Sequence, residues 1–376
     1  MTGLPEEVPC LLMRGGTSKG AYFLADDLPA EPALRDELLL RIMGSPDERQ
    51  IDGLGGAHPL TSKVAVVSPS SGPGSDVDYL FLQVGVDKPE VTDRQNCGNL
   101  LAGVGPFAVE RGLVPARDGH TCVRIRMVNT GDLATATFPT PGGRVDYTGD
   151  AEISGVPGKA APVVIEFPPG TGPLLPTGNA RDVIAGIAVT CVDNGMPTVL
   201  IAASSLGVTG YETPAELEED PVLGDRLHKI RLEAGALMGL GDVSGTTVPK
   251  LTLLAPPRAG GAISTRTFIP VRVHTSIGVL GAASVAAGLR IEGGVGAEQA
   301  VLPTGHDRIR IEHPTGFLDI ESSLRRAPGG EPSAARTAVV RTARKIFDGL
   351  VFPRAATTAP IPPQTCQGDE DDSASG

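Results

Sequence analysis

The two halves of this 376-residue chain repeat one another in four matched segments that run in the same order. Met13 to Pro29, MRGGTSKGAYFLADDLP, lines up with Val192 to Val208, VDNGMPTVLIAASSLGV; each reads as a glycine turn, a short apolar strand and a polar turn. An amphipathic helix ending in Met-Gly follows each, ALRDELLLRIMG at Met43 and Gly44, and RLHKIRLEAGALMG at Met238 and Gly239. The third pair, TSKVAVVSP around Lys63 and VPKLTLLAP around Lys250, puts a lysine at the start of an apolar strand that proline stops. The fourth pair is NCGNLLAGVGPFAVERG from Asn96 and TSIGVLGAASVAAG from Thr275. Both open on small polar residues and glycine, then continue as helices apolar nearly all round, and such helices are buried on every side.

Runs rich in Val, Ile and Thr lie between these segments, among them HTCVRIRMVNT, RIRIEHPTG and TAVVRTARKIFDG, and they read as strands. The pattern predicts an α+β protein of two pseudo-symmetric halves, each a strand-rich layer wrapped around one central apolar helix. The first half is expected over 1–185 and the second over 186–355, with the second central helix at 276–289. Residues 356–376 are Pro-rich and then acidic, the composition of a disordered tail.

Lys plus Arg number 32 against 44 for Asp plus Glu, a net charge of −12, which argues against nucleic acid or an anionic membrane as partner. With aromatics at 3% and no Trp, stacking platforms for bases are not expected either. No apolar run reaches the ~18 residues of a membrane span, and the acidic start MTGLPEEVPC lacks the features of a signal peptide. Five scattered cysteines without a CxxC pair suit reduced thiols and a cytoplasmic location. The six histidines show no HxH or HExxH spacing, so no metal is expected. GLGGAH does not give a dinucleotide fingerprint, and GTSKG, which formally matches a nucleophile elbow, is followed by a strand and turn pattern where that motif needs a helix.

Two residues carry chemistry most directly. Cys97, in NCGN, opens the first central helix, and a cysteine at a helix N-terminus meets unpaired N–H groups and a positive dipole end that favour the thiolate. Lys63 sits at the rim of an apolar strand, where a lysine can be desolvated into a neutral general base. Lys250 has the same setting, but its partner helix opens at Ser276, without a thiol, so the halves are chemically unequal. Cys10, Cys122 and Cys191 fall in apolar strand-like runs and read as structural. The loop MRGGTSKG, with Arg14, Thr17, Ser18 and Lys19, offers amides, hydroxyls and cations suited to a carboxylate. Arg258 and Arg266 flank AGGAIST just before the second central helix, and one of them is a candidate substrate contact.

MRGGTSKGAYFLADDLP, MGSPDERQIDGLGGAHPLTSKVAVVSPS, NCGNLLAGVGPFAVERGLV, DNGMP and FIPVRVHTSIGVLGAASVA together resemble the 4-oxalomesaconate tautomerases and the related PrpF-type aconitate and methylitaconate isomerases. The resemblance runs from about Val8 to Phe352. It implies the diaminopimelate-epimerase-like fold, with a curled mixed sheet in each half, and a cofactor-independent site in the cleft between them. It also implies that the family's catalytic lysine falls on Lys63 and its catalytic cysteine on Cys97. Epimerases of this fold use two thiols, one opening each central helix, and Thr275 with Ser276 breaks that symmetry, which disfavours racemisation. The expected activity is therefore an isomerase that shifts a proton across an allylic or keto/enol system of a small tricarboxylic acid. By resemblance that acid is 4-oxalomesaconate, in bacterial gallate or protocatechuate breakdown. Cis/trans isomerisation of an aconitate- or methylitaconate-type acid is the alternative, and a non-catalytic binding protein of the same fold the alternative of another class. Expected substrate contacts are Arg14, Thr17, Ser18, Ser62, Asn96, Gly98, Asn99, Asn194, Arg266, Ser276, Ile277 and Gly278. The expected partners are the acid itself and a second copy of the chain as a homodimer, with no nucleic acid and no membrane.

Overall fold

The computed structural model describes residues 4–94, 97–168, 170, 172–327 and 329–355. Asn96 and the 356–376 segment with Cys366 lie outside the described residues.

The first half runs β1 (Val8–Gly15), β2 (Ser18–Leu24), α1 (Pro32–Met43), β3 (Lys63–Pro69), β4 (Val77–Val84), β5 (Val91–Thr92), α2 (Gly98–Glu110), β6 (Gly119–Met127), β7 (Leu133–Thr140) and β8 (Pro162–Glu166). The second begins with β9 (Asp182–Ile184), β10 (Ile187–Asp193), β11 (Pro197–Ala202), α3 (Pro214–Glu218), α4 (Pro221–Leu237) and β12 (Lys250–Ala255). It continues with β13 (Ile263–Ile269), β14 (Arg272–Val273), α5 (Val279–Gly288), α6 (Val295–Gln299), β15 (Arg308–His313), β16 (Gly316–Arg326) and β17 (Pro332–Val351). The segments matched in the sequence occupy matched places. Gly20 of β2 pairs in parallel with Lys63 of β3, as Thr198 of β11 does with Lys250 of β12. Each parallel pair is flanked by antiparallel neighbours, so both sheets are mixed.

β17 ties the halves together. Its first part pairs with β16, Ala338–Thr342 pairs with β8, and Ala343–Val351 pairs with β1, which closes the first sheet into a ring. Sheet membership therefore departs from the expected division at 185: β9 already belongs to the second ladder, and the end of β17 to the first. The physical reason is that β1 would otherwise expose an unpaired edge.

Strand alternation sorts the side chains into layers. On β3, Val64 and Val66 face outward and pack with Leu38, Leu39, Ile42 and Met43 of α1. Ala65 and Val67 face inward onto Leu100, Leu101, Val104 and Phe107 of α2. Lys63 shares that inward parity. The second half repeats the outer layer, with Leu227, Ile230 and Ala234 of α4 over Val199, Ile201, Leu251 and Leu253. Four buried side chains on α1, at roughly 1.5–3 kcal/mol each, rival the whole net stability of a domain, so tertiary burial holds this helix. Inside the ring α2 lies close to the strands. A Cβ at Gly103 would strike the Tyr22 ring, and the Tyr22 hydroxyl donates to Leu100 O at 2.6 Å.

Two expectations change. The second central helix spans 279–288, shorter than the expected 276–289, because Gly278 is extended (φ −67°, ψ 145°) and Ser276 N donates to His274 Nδ1 at 2.9 Å. Cys122 is exposed, since in β6 it has the opposite parity to buried Val123 and Ile125.

Candidate active site

The central helices point their N-termini at one another. Cys97 is the N-cap of α2 and Gly278 that of α5, and among the described residues neither helix has a side-chain cap, so the first-turn N–H groups are open to water or a ligand. Gly98 and Val279 face each other across a cleft of about 530 Å³ between the halves. Thr17, Gly98 and Asn99 line it from the first half, and Ser276, Ile277, Gly278, His313 and Arg341 from the second. The segment Ile153–Gly155 joins that wall, anchored where Ser154 Oγ accepts from Phe317 N at 2.7 Å.

Six expected contact residues are thus brought together: Thr17, Gly98, Asn99, Ser276, Ile277 and Gly278. The glycine loop lies against the first turn of α2. Thr17 N donates to Asn99 Oδ1 at 3.4 Å, and Gly16, at φ +52°, leaves no room for a Cβ beside that oxygen. Cys97, next in sequence to the lining Gly98, and Lys63 are both buried, 8% and 7% exposed, and neither lines the cleft itself. Lys63 Nζ donates to Gln83 Oε1 at 2.8 Å and lies 4.8 Å from the centre of the Phe81 ring. Its strand partner Gly20 abuts Leu100, which puts the lysine beside the first turn that Cys97 caps. Among the described residues no carboxylate pairs with Lys63; its partner is a neutral amide that is itself held by Ser62 O at 2.8 Å.

Five expected contacts lie elsewhere or are engaged. Arg14 donates from Nη1 to Gly16 O, Thr342 O and Thr342 Oγ1, bolting the glycine loop to β17. Ser62 Oγ accepts from Gln50 Nε2 at 2.8 Å inside the protein. Ser18 is buried in β2 and its hydroxyl has no partner among the described residues. Asn194 fixes the β10–β11 turn to α5, taking Ser284 Oγ on its N–H and donating to Ala283 O and Thr337 Oγ1. Arg266 is spent on Glu212 O and Thr265 O, and Arg258 stacks on the Tyr211 ring. Arg14 and Arg266 are thus taken up by nearby backbone carbonyls and Ser62 and Asn194 by buried partners, as buried polar groups require, while Ser18 is the exception.

Sequence reasoning missed the second-half polar cluster. His313 Nε2 lies 3.1 Å from Ser276 Oγ, and Thr315 Oγ1 donates to Thr275 O at 2.8 Å. Burial pushes the His313 imidazole down to about 4, and burial also lowers that of His274, so both are neutral near pH 7. Arg341, 9% exposed on β17, reaches the same cleft. The available signal was an arginine inside the apolar strand run TAVVRTAR.

Three comparisons bear on this site. The family model described as PrpF protein matches residues 6–354. The (4E)-oxalomesaconate Delta-isomerase of a Novosphingobium species and the 4-oxalomesaconate tautomerase of Pseudomonas putida are each 56% identical, over 92% of this chain and 98% and 95% of theirs. The crystal structure of a methylitaconate-delta-isomerase, 34% identical, superposes with a TM-score of 0.81 over 95% of this chain and 99% of that one.

Proposed function

The chain belongs to the PrpF protein family, and from that membership we infer an isomerase that relocates a proton within an unsaturated tricarboxylic acid, 4-oxalomesaconate. The fold is the diaminopimelate-epimerase-like one, and among the described residues no helix is long and apolar enough to cross a membrane.

The observation that carries the reading is the meeting, over one cleft, of two helix N-termini without side-chain caps among the described residues, one of them capped by Cys97 and packed against the strand that Lys63 opens. Carboxylates bind where helix amides are unpaired. A carbon acid conjugated to a carbonyl loses its proton to a modest base when fixed donors hold the dienolate. In this reading Lys63 takes the proton from the sp³ carbon, and the electron pair spreads through the conjugated system to oxygen. The double bond then moves one position as the proton is returned at the far carbon, with Cys97 returning or relaying it. The carboxylates rest on the amides after Cys97 and Gly278 and on Asn99.

An aconitate- or methylitaconate-type substrate is the second reading, favoured by the 34% identity to the methylitaconate-delta-isomerase, which is the weaker of the likenesses. Proton NMR in D₂O with 4-oxalomesaconate, cis-aconitate and trans-aconitate decides between them. Deuterium should enter 4-oxalomesaconate at a carbon that gains a hydrogen, while inertness toward all three acids would favour a binding protein. A cytoplasmic homodimer belongs to the same reading, supported by the exposed Ile346, Phe347, Leu350 and Phe352, and light scattering after size exclusion tests it.

A further inference from the structure

Arg341 differs from every other buried arginine of the second half in having almost no partner. Arg231, 2% exposed, donates to the carbonyl oxygens of Val243, Ser244, Thr246 and Val248, and Arg266 donates to those of Glu212 and Thr265. Arg341 makes one bond, from Nη1 to Val340 O at 3.2 Å. A guanidinium has five N–H donors, so most of them have no partner among the described residues. They are not sealed in, because Arg341 lines the cleft and is absent from the buried orphans.

The carboxylates around it are already committed. Asp319 is held by Arg310 through two bonds at 2.8 and 3.0 Å, and Glu312 accepts from the amides of Arg258, Ala259 and Gly261. A buried cation without a counter-ion is costly, and a fold keeps one where a ligand supplies the missing charge. Burial lowers its pKa only to about 10, so the guanidinium stays charged at neutral pH.

We propose that Arg341 clamps one carboxylate of the substrate, that the Ser276 hydroxyl, oriented by His313, is the second donor to that group, and that this clamp sets the preference for tricarboxylic over dicarboxylic acids. The proposal rests on the reading of the cleft as a tricarboxylate site. A guanidinium offers a carboxylate two parallel N–H bonds, and the Ser276 hydroxyl, 3.1 Å from His313 Nε2, lines the same wall. The remaining carboxylates then fall to the two helix tips, which leaves the carbon skeleton facing Cys97 and Lys63.

Calorimetric titration with tricarballylate and glutarate, unreactive acids that differ by one carboxylate, tests it without turnover. The wild type should bind tricarballylate on the order of 10- to 100-fold more tightly than glutarate. Arg341→Met should lose that advantage, with tricarballylate falling to the level of glutarate and glutarate changing by less than about threefold. Arg341→Lys should recover part of it, since it keeps the charge but not the paired geometry. Ser276→Ala should weaken tricarballylate selectively and by less. The thermal midpoint of Arg341→Met should hold or rise, because an uncompensated charge has been removed; a structural arginine would lower it. Equal weakening of both acids, or unchanged selectivity in Arg341→Lys and Ser276→Ala, would overturn the clamp. Failure to isomerise 4-oxalomesaconate would overturn only the proposed reaction, since these titrations do not depend on it.

Discussion

A Cβ added at Gly98 would lie 3.8 Å from Val279 Cγ2, so the opening residues of the two central helices stand in van der Waals reach across the cleft. Each half of the duplicated fold contributes one helix tip, and neither half alone encloses a ligand. The gap between the tips is small, and among the described residues the space around Gly98 is otherwise open.

Gly98→Ala therefore separates ligand space from stability. Nothing else among the described residues lies within 4 Å of the methyl group, and alanine is the better helix former, so the thermal midpoint should stay the same or rise slightly. The methyl group would stand between substrate and helix amides, and KM should rise on the order of 10-fold by misplacing the ligand. A fall in thermal midpoint with unchanged KM would show that the tips are a packing contact only.

Lys63→Met keeps the buried stem beside Phe81 and deletes the amine. Loss of a general base costs on the order of 10²- to 10⁴-fold in rate, so kcat should fall by that amount while tricarballylate still binds. Lys250→Met is the control from the matched position, where burial lowers the lysine pKa but no thiol caps the neighbouring helix. Steady-state kinetics on both variants should show the kcat loss at Lys63 alone; equal losses would sink the asymmetric mechanism.

Thiol labelling should sort the cysteines by environment. Burial pushes Cys10 and Cys191 up to about 12, which keeps them inert near neutral pH. Cys122 is exposed on the outer face of β6 and should take up iodoacetamide without loss of activity. Inactivation should follow modification of Cys97, and tricarballylate should slow both. Peptide mapping against residual activity reads this directly, and full activity with Cys97 carbamidomethylated would remove that residue from the mechanism.

His313 should make the fold sensitive to mild acid. Its pKa falls from 6.5 to about 4 on burial, so the folded state resists protonation that the unfolded chain accepts. Its contribution is complete above pH 6.5 and is lost as pH falls toward 4, a change of about 3 kcal/mol. Denaturant midpoints at pH 7 and 4.5 should converge in His313→Gln relative to wild type. Equal acid sensitivity in both proteins would place the titrating group elsewhere.

Much of this was legible because it is local. The four repeated segments appear as the matched β1–β2 and β10–β11 hairpins, the outer helices α1 and α4, the strands opening at Lys63 and Lys250, and the central helices α2 and α5. Cys97 as a helix cap follows from four consecutive residues, and Thr17 and Asn99 come together because the glycine loop lies beside that cap.

The arginines show where local reading stops. Arg14, Arg266 and Arg341 all lie in strands, and chemistry alone favours the two that border glycine-rich segments. Arg14 and Arg266 are consumed by nearby backbone carbonyls, whereas Arg341 reaches the cleft because β17 passes from the second sheet into the first at that point. The pair Ser276 and His313 is likewise made by folding, across 37 residues. The sequence by itself determined the repeat, the layers and the cysteine that caps the first central helix, since periodicity and capping are short-range. Which buried cation faces the ligand was decided only by strand pairing between distant segments, because a side chain's parity is fixed by register and its partners by what else is packed there.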